Sequence, residues 1–264
     1  MHVLVKGAGD IATGIALRLW AARIQVVMTE ISVPTTVRRT VSFSQAVLDG
    51  SAVVEGVRAE LAGSVEAVTG ILAAGHVPVL VDSEASCLAE LRPDVLVDGI
   101  LAKRNLGTSI SDAPVVIGVG PGFVAGVDCH AVVETQRGHD LGRVILQGKA
   151  LPNTGIPGEI GGHSAKRVLR GPSGGVFQQE MEIGALVKPG DAVGSVDGVP
   201  VISEISGILR GVLASGVLVR PGMKCGDVDP RCEVGHCYTV SDKARAIGGS
   251  VLEAILALSP AVTW

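Results

Sequence analysis

Met1-His-Val-Leu-Val-Lys-Gly-Ala-Gly-Asp-Ile-Ala-Thr-Gly14 opens the chain with a buried strand that turns through glycines straight into a helix. Val3, Leu4 and Val5 form the short apolar run expected of a strand covered on both faces. Gly7 and Gly9 permit a tight turn and close approach by a ligand, and Ala12 and Gly14 keep the helix near the sheet. The first N–H groups of that helix, at its positive dipole end, predict an anion site framed by Lys6, Gly7, Gly9, Asp10 and Gly14. Asp10 is ambivalent, since its carboxylate can cap the helix or repel a pyrophosphate. A tight βα turn without ligand is the alternative.

Outward from this turn the alternation continues. Gln25–Thr29 reads as a second strand ending in Glu30, 23 positions after Gly7, where a dinucleotide fold places its ribose-binding carboxylate. Arg38 and Arg39 could instead accept a 2′-phosphate. A helix over Glu60–Ala74, a strand over Val77–Val81, a helix over Ser83–Leu91 and strands at Val95–Val97 and Val115–Val119 follow. This pattern predicts an α/β, Rossmann-like domain with a mainly parallel sheet. Asp82, Asp98, Lys103 and Arg104 then fall at carboxyl ends of strands, the edge where open sheets bind ligands. Gly118-Val-Gly-Pro-Gly122 supplies a second glycine turn, with Gly120 and Gly122 as a second wall of the crevice or as an ordinary loop. Asp128, His130 and Glu134 share one face if Val127–Thr135 is a strand. A solvated polar face explains them more often than a metal does, so no metal site is predicted.

Prolines and glycines between Leu151 and Gly162 mark a boundary. The expected division is a cofactor-binding domain over 1–150, a small all-β module over 151–232, and a C-terminal segment over 233–264 whose helix packs back on the first domain. Within the module, Val187-Lys-Pro-Gly-Asp-Ala-Val-Gly-Ser-Val196 recurs 32 residues later as Val219-Arg-Pro-Gly-Met-Lys-Cys-Gly-Asp-Val228. This pair resembles the halves of a biotinyl/lipoyl-type barrel-sandwich hybrid. Val196–Gly211 contains no lysine, which removes the swinging-arm role. Cys225, Cys232 and Cys237 with His236 match no standard zinc spacing. A thiol beside Arg231 and His236 could have a lowered pKa and carry sulfur or selenium, or the cysteines could be small buried hydrophobes. A helix capped by Ser241 or Asp242 follows, and the tail Ser259–Trp264 is expected to fray.

Composition narrows the function classes. A chain of 264 residues buries enough surface to need no disulfide staples. Net charge of −4 gives no field for nucleic acid or acidic membranes, and two Trp, one Tyr and three Phe offer no base-stacking surface. Five cysteines form no secreted framework, Met1 leads into a strand rather than a signal core, and every apolar run is interrupted. A cytoplasmic protein, with no nucleic-acid or membrane partner, is predicted.

Several segments together carry a family resemblance: Val5–Gly14, Asp98-Gly-Ile-Leu-Ala-Lys103, Gly120-Pro-Gly-Phe-Val-Ala-Gly126, Glu134-Thr-Gln-Arg-Gly-His139, Pro152–Gly158, Gly226-Asp-Val-Asp-Pro-Arg231 and Ser241–Gly249. On these the chain resembles the selenium-dependent molybdenum hydroxylase system proteins of the YqeB type, with a glycine turn like that of XdhC-type maturation factors. The resemblance implies an accessory protein that binds molybdopterin or a nucleotide and assists insertion of sulfur, selenium or cofactor into a molybdenum hydroxylase apoenzyme. It supplies no catalytic residue. An NAD(P)-dependent oxidoreductase and a non-catalytic scaffold are the alternatives, and homo-oligomerisation is left open.

Overall fold

The computed structural model describes residues 1–259 and divides into two compact units. Unit 1 comprises 1–32, 43–154 and the C-terminal stretch from 240; unit 2 comprises 33–42 and 155–239.

Unit 1 begins with β1 (His2–Lys6), α1 (Asp10–Ala21) and β2 (Gln25–Glu30). It continues through α2 (Gln45–Asp49), β3 (Ser51–Val54), β4 (Val57–Ala62), α3 (Val65–Ala73), β5 (Val77–Val81) and α4 (Leu88–Leu91). Then come β6 (Val95–Asp98), β7 (Val115–Val119), β8 (Ala131–Val133) and β9 (Val144–Ile145). These strands form one nine-stranded sheet in the order β3-β4-β5-β2-β1-β6-β7-β8-β9. The inner strands are parallel, while β3 and β9 run antiparallel at the two edges. β1 is buried from Val3 to Lys6 and lies between β2 and β6. The connection after β1 runs to β2 and that after β6 runs to β7, on opposite sides, so the strand order reverses between β1 and β6, the point where open sheets bind ligands.

The expected Rossmann-like alternation of strands and helices is corrected here. The predicted helix over Glu60–Ala74 is divided: β4 takes residues up to Ala62 and α3 starts at Val65. A two-residue hairpin makes the difference. Glu55 and Gly56 have φ of 48° and 82°, a turn that matches strand twist and pairs Val54 with Val57. The predicted helix over Ser83–Leu91 shrinks to the single turn α4. The connections β6–β7 and β7–β8 carry no helix, because 99–114 and 120–130 are broken by Gly and Pro and lack an apolar helical period.

Unit 2 contains β10 (Val168–Arg170), β11 (Gly175–Gln179), β12 (Leu186–Val187), β13 (Ala192–Val196), β14 (Val199–Ile202), β15 (Gly207–Val212), β16 (Leu218–Val219), β17 (Lys224–Asp229) and the one-turn α5 (Gly235–Tyr238). They form two antiparallel four-stranded sheets, β10-β17-β15-β12 and β14-β13-β11-β16. The repeated Pro-Gly pairs sit at equivalent turns, with Gly190 and Gly222 at φ of 96° and 76°. The expectation of a self-contained barrel-sandwich hybrid is also corrected, since 33–42 is built into this unit. Arg38 donates to the carbonyls of His236 and Thr239, and Arg39 donates to the carbonyl of Val212 and to Gln179. A Cβ on Gly211 would lie 2.7 Å from the Val37 carbonyl oxygen, so only glycine admits that strand.

Back in unit 1, α6 (Asp242–Leu258) is capped by the Ser241 side chain, which accepts from the Ala244 N–H at 3.2 Å. Ala244, Ile247, Val251, Ala254 and Ile255 are buried at helical spacing, and Ala244 and Gly248 meet Gly14 of α1. No helix among the described residues is long and apolar enough to cross a membrane. Most of the expected frayed tail, from Pro260 on, lies outside the described residues.

Candidate functional site at the carboxyl edge of the unit 1 sheet

The first glycine turn is filled by the protein itself. Lys6 is buried, donates from Nζ to Thr108 Oγ1 at 2.9 Å and lies 3.9 Å from Asp98. The Thr108 hydroxyl in turn donates to Asp98 at 2.7 Å. Gly7 has φ of 88°, and a Cβ there would sit 3.2 Å from the Ile100 Cα. Its freedom admits the β6–β7 loop rather than a ligand. Glu30 turns into the turn and accepts from the N–H groups of Ala8 (3.0 Å) and Ile31 (2.9 Å). Gly9 is the N-cap residue of α1, and Asp10 accepts from the Ile11 N–H at 2.9 Å.

Two carboxylates thus occupy the helix end where a phosphate was expected. Burial raises the Glu30 pKa, against the pull of its two backbone donors. A diphosphate would have to displace Glu30 and face Asp10, so the predicted phosphate cradle is overturned.

The second glycine turn packs in the same way. A Cβ on Gly122 (φ 119°) would lie 2.6 Å from the Arg104 Cα, and one on Gly120 would lie 2.9 Å from Thr135 Oγ1. The loop between β6 and β7 is therefore clamped at Gly7 and at Gly122. Asn105 ties it further, accepting from the N–H groups of Gly107 and Thr108. Lys103, at φ of 64°, projects from this fixed loop.

Asp128, His130 and Glu134 do not share a strand face, because β8 spans only Ala131–Val133. Asp128 accepts from the Val124 N–H at 2.7 Å, and His130 Nδ1 accepts from the Val116 N–H at 3.0 Å. Glu134, fully buried, accepts from the N–H groups of Thr135, Gln136 and Leu151, each at 2.7 Å. Each side chain substitutes for missing backbone partners. No group of three or more His, Cys, Asp or Glu able to hold a metal exists among the described residues.

A charged cluster forms where α6 begins. Arg137 grips Asp242 through two bonds of 2.6 and 2.8 Å. Contact of Gly14 with Ala244 sets the first turn of α6 beside that of α1, which brings Lys243 next to Asp10. Lys243 is half-buried, and its pKa is lowered by burial and by the Arg137 charge, with a smaller push from Lys103. Asp10 and Glu134 oppose that shift. The cations Lys103, Arg137 and Lys243 are therefore balanced by Asp10, Glu134 and Asp242. Of the residues predicted from sequence, Asp10 and Lys103 meet here; Lys6 is spent on Thr108, and Gly14 serves the helix seam. Arg38 belongs to unit 2 as an anchor. Arg137 and Lys243 were missed. A capped helix start with a lysine in its first turn was their faint signal, since a cation there opposes the dipole.

Unit 2 holds a buried ionic cluster beside its cysteines, of which Cys225 and Cys237 are buried and Cys232 is exposed. Asp227 bonds both Arg167 and Arg210, and Asp229 bonds Arg231 at 2.7 Å and Arg210 at 3.3 Å. Burial alone would raise the Asp229 pKa, but hydrogen bonds from Arg231 and the charges of Arg210 and Arg231 hold it down to about 2. Burial pushes the Cys225 thiol up to about 11 and raises that of Cys237, so neither is a ready thiolate. Arg231, expected to activate a neighbouring thiol, is spent on Asp229.

No family model matches the chain. It is 50% identical over 256 residues to "Uncharacterized protein YqeB" of Escherichia coli K12, a match covering 97% of this chain and 47% of the relative. The chain thus spans about half the length of the curated relative it matches. Among solved structures it is similar to an aspartoacylase family protein of Mesorhizobium loti, at 12% identity and a TM-score of 0.26 over 86% of this chain and 83% of that one. A succinylglutamate desuccinylase/aspartoacylase of Rhodobacter sphaeroides gives 15% identity and 0.26 over 86% and 84%. Scores this low carry neither fold nor activity across.

These findings correct the family expectation. The curated relative is described as an uncharacterized YqeB, with no function given. The turn that was to hold molybdopterin or NAD(P) is filled by Glu30. Molybdenum hydroxylase maturation, and the dehydrogenase alternative that needed the same turn, fall together.

Proposed function

We propose that unit 1 binds a small carboxylate-bearing metabolite in the crevice at the carboxyl edge of its sheet, with Lys243 and Lys103 taking the carboxylate. One observation carries this reading: the Lys243 ammonium is half-buried, and burial together with the Arg137 and Lys103 charges lowers its pKa against the opposing pull of Asp10 and Glu134. A partly desolvated ammonium beside other cations gains from an anion brought against it.

Charge balance selects the anion. The three cations already face three carboxylates, and Glu30 adds a fourth acid close by. A singly charged carboxylate group shared by Lys103 and Lys243 adds least to that count. A diphosphate would bring two or more charges against Asp10 and Glu30. Asp10 also suits the ammonium end of a zwitterion.

Calorimetric titration of the whole chain with short mono- and dicarboxylates, amino acids and inorganic pyrophosphate tests the reading. Carboxylates are expected to bind with Kd of about 10 μM to 1 mM, and Lys243→Met to weaken them about tenfold or more. Pyrophosphate binding tighter than every carboxylate, or affinity unchanged in Lys243→Met, overturns it.

A further inference from the structure

We infer that unit 1 has a second small-molecule site, at the amino-terminal edge of the sheet, which takes a short apolar group ending in an ammonium. A cavity of about 290 Å³ opens there between the sheet and the helices α3 and α4. Its floor is Leu4 of β1 and Val27 of β2, and its walls are Val68 and Leu72 of α3 and Leu91 of α4. It exists because α4 is a single turn, stopped by Arg92 at φ of 43° and by Pro93. The core residues beneath are buried, whereas Leu72 and Leu91 stay half-buried, so apolar surface faces the opening.

The size lies at the lower end of small-ligand pockets. The rim sets the charge of the ligand. Glu66 and Glu90 stand at the mouth, and no lysine or arginine lines the cavity. The Glu66 carboxyl is held below its usual range by the Ser64 side chain and by its own backbone N–H, and stays ionised at neutral pH. An alkyl or aryl tail on Leu4, Val27 and Leu72 leaves its head group level with these two carboxylates. A cation there gains a partner, and an anion is repelled.

The test compares n-hexylammonium with n-hexanol by calorimetry on the whole chain. Hexylammonium is expected to bind about tenfold more tightly than hexanol, and Glu66→Gln with Glu90→Gln to erase that preference while hexanol binding persists. Leu72→Trp fills the cavity and should abolish both ligands. If circular dichroism shows that variant unfolded, Thr69→Trp, placed from an exposed position on the rim, serves in its place. No saturable binding of either ligand overturns the inference. So does binding that survives both tryptophan variants, or an equal affinity for amine and alcohol in the wild-type chain.

Discussion

Gly14 meets Ala244 so closely that a methyl on Gly14 would lie 2.7 Å from the Ala244 Cβ and 2.9 Å from its carbonyl oxygen. The reciprocal contact is as tight, with a Cβ on Gly248 reaching 2.6 Å from the Gly14 carbonyl oxygen. Two helices crossing on glycine place the first turn of α6 beside that of α1, and with it Lys243. Gly14→Ala must push α6 outward, and is expected to cost about 1–3 kcal/mol in urea unfolding. Gly70, inside α3 with nothing within 4 Å of its would-be Cβ, is the control. Gly70→Ala is expected to stabilise by about 0.5–1 kcal/mol, because alanine loses less backbone entropy in a helix.

Asp229 sets an acid limit on unit 2. Its folded pKa, about 2, lies below the ordinary carboxylate value of about 3.9. A depressed carboxylate stabilises fully above its unfolded pKa, and that stabilisation is lost as pH falls through the folded value. Unfolding free energy should therefore decline between pH 4 and pH 2 more steeply in the wild type than in Asp229→Asn. At neutral pH the same substitution leaves Arg210 and Arg231 short of a counter-charge and is expected to cost about 3–5 kcal/mol.

The clamp on the Lys103 loop rests on Gly122. At φ of 119° any side chain is strained, and a Cβ would strike the Arg104 backbone at 2.6 Å. Gly122→Ala is expected to cost about 2 kcal/mol or more and to speed amide exchange across residues 99–109. Gly126→Ala has the same sign of φ (86°) but open space around it, and should cost only about 1 kcal/mol of backbone strain.

What could be read ahead of the structure was local. The strand of Val3–Val5, the turn at Gly7 and the Pro-Gly repeat are dictated by residue type within a few positions. Their use was not legible. A Gly-Ala-Gly turn admits a phosphate or a neighbouring backbone equally well, and only the tertiary approach of Ile100 and the inward rotamer of Glu30 decide for the backbone. The same holds for Asp128, His130 and Glu134, whose spacing suited a strand face until β8 stopped at three residues and each became a backbone acceptor. Arg38 was assigned to a cofactor by its place after β2, yet nothing local shows that 33–42 leaves the sheet for unit 2. Lys243 stands more than two hundred residues from Asp10, so no window of sequence brings the two together.

Lys243 gives the crevice a pH signature that separates binding from mere charge. Burial and the Arg137 charge lower its pKa, so the folded protein releases this proton at a pH where an unfolded lysine, at about 10.4, still holds it. With the folded value depressed, the unfolded chain binds more protons in the window between the two values, and stability rises with pH across it. Carboxylate binding runs the opposite way, because it needs the ammonium. Affinity should fall as pH climbs through the lowered value, before ordinary lysines titrate. Lys243→Arg keeps a cation throughout that range, and is expected to retain binding and flatten its pH profile. Lys103→Met should shift the wild-type profile toward higher pH, since one repelling charge is gone. A profile that is identical in wild type and Lys243→Arg would place the carboxylate elsewhere on the sheet edge.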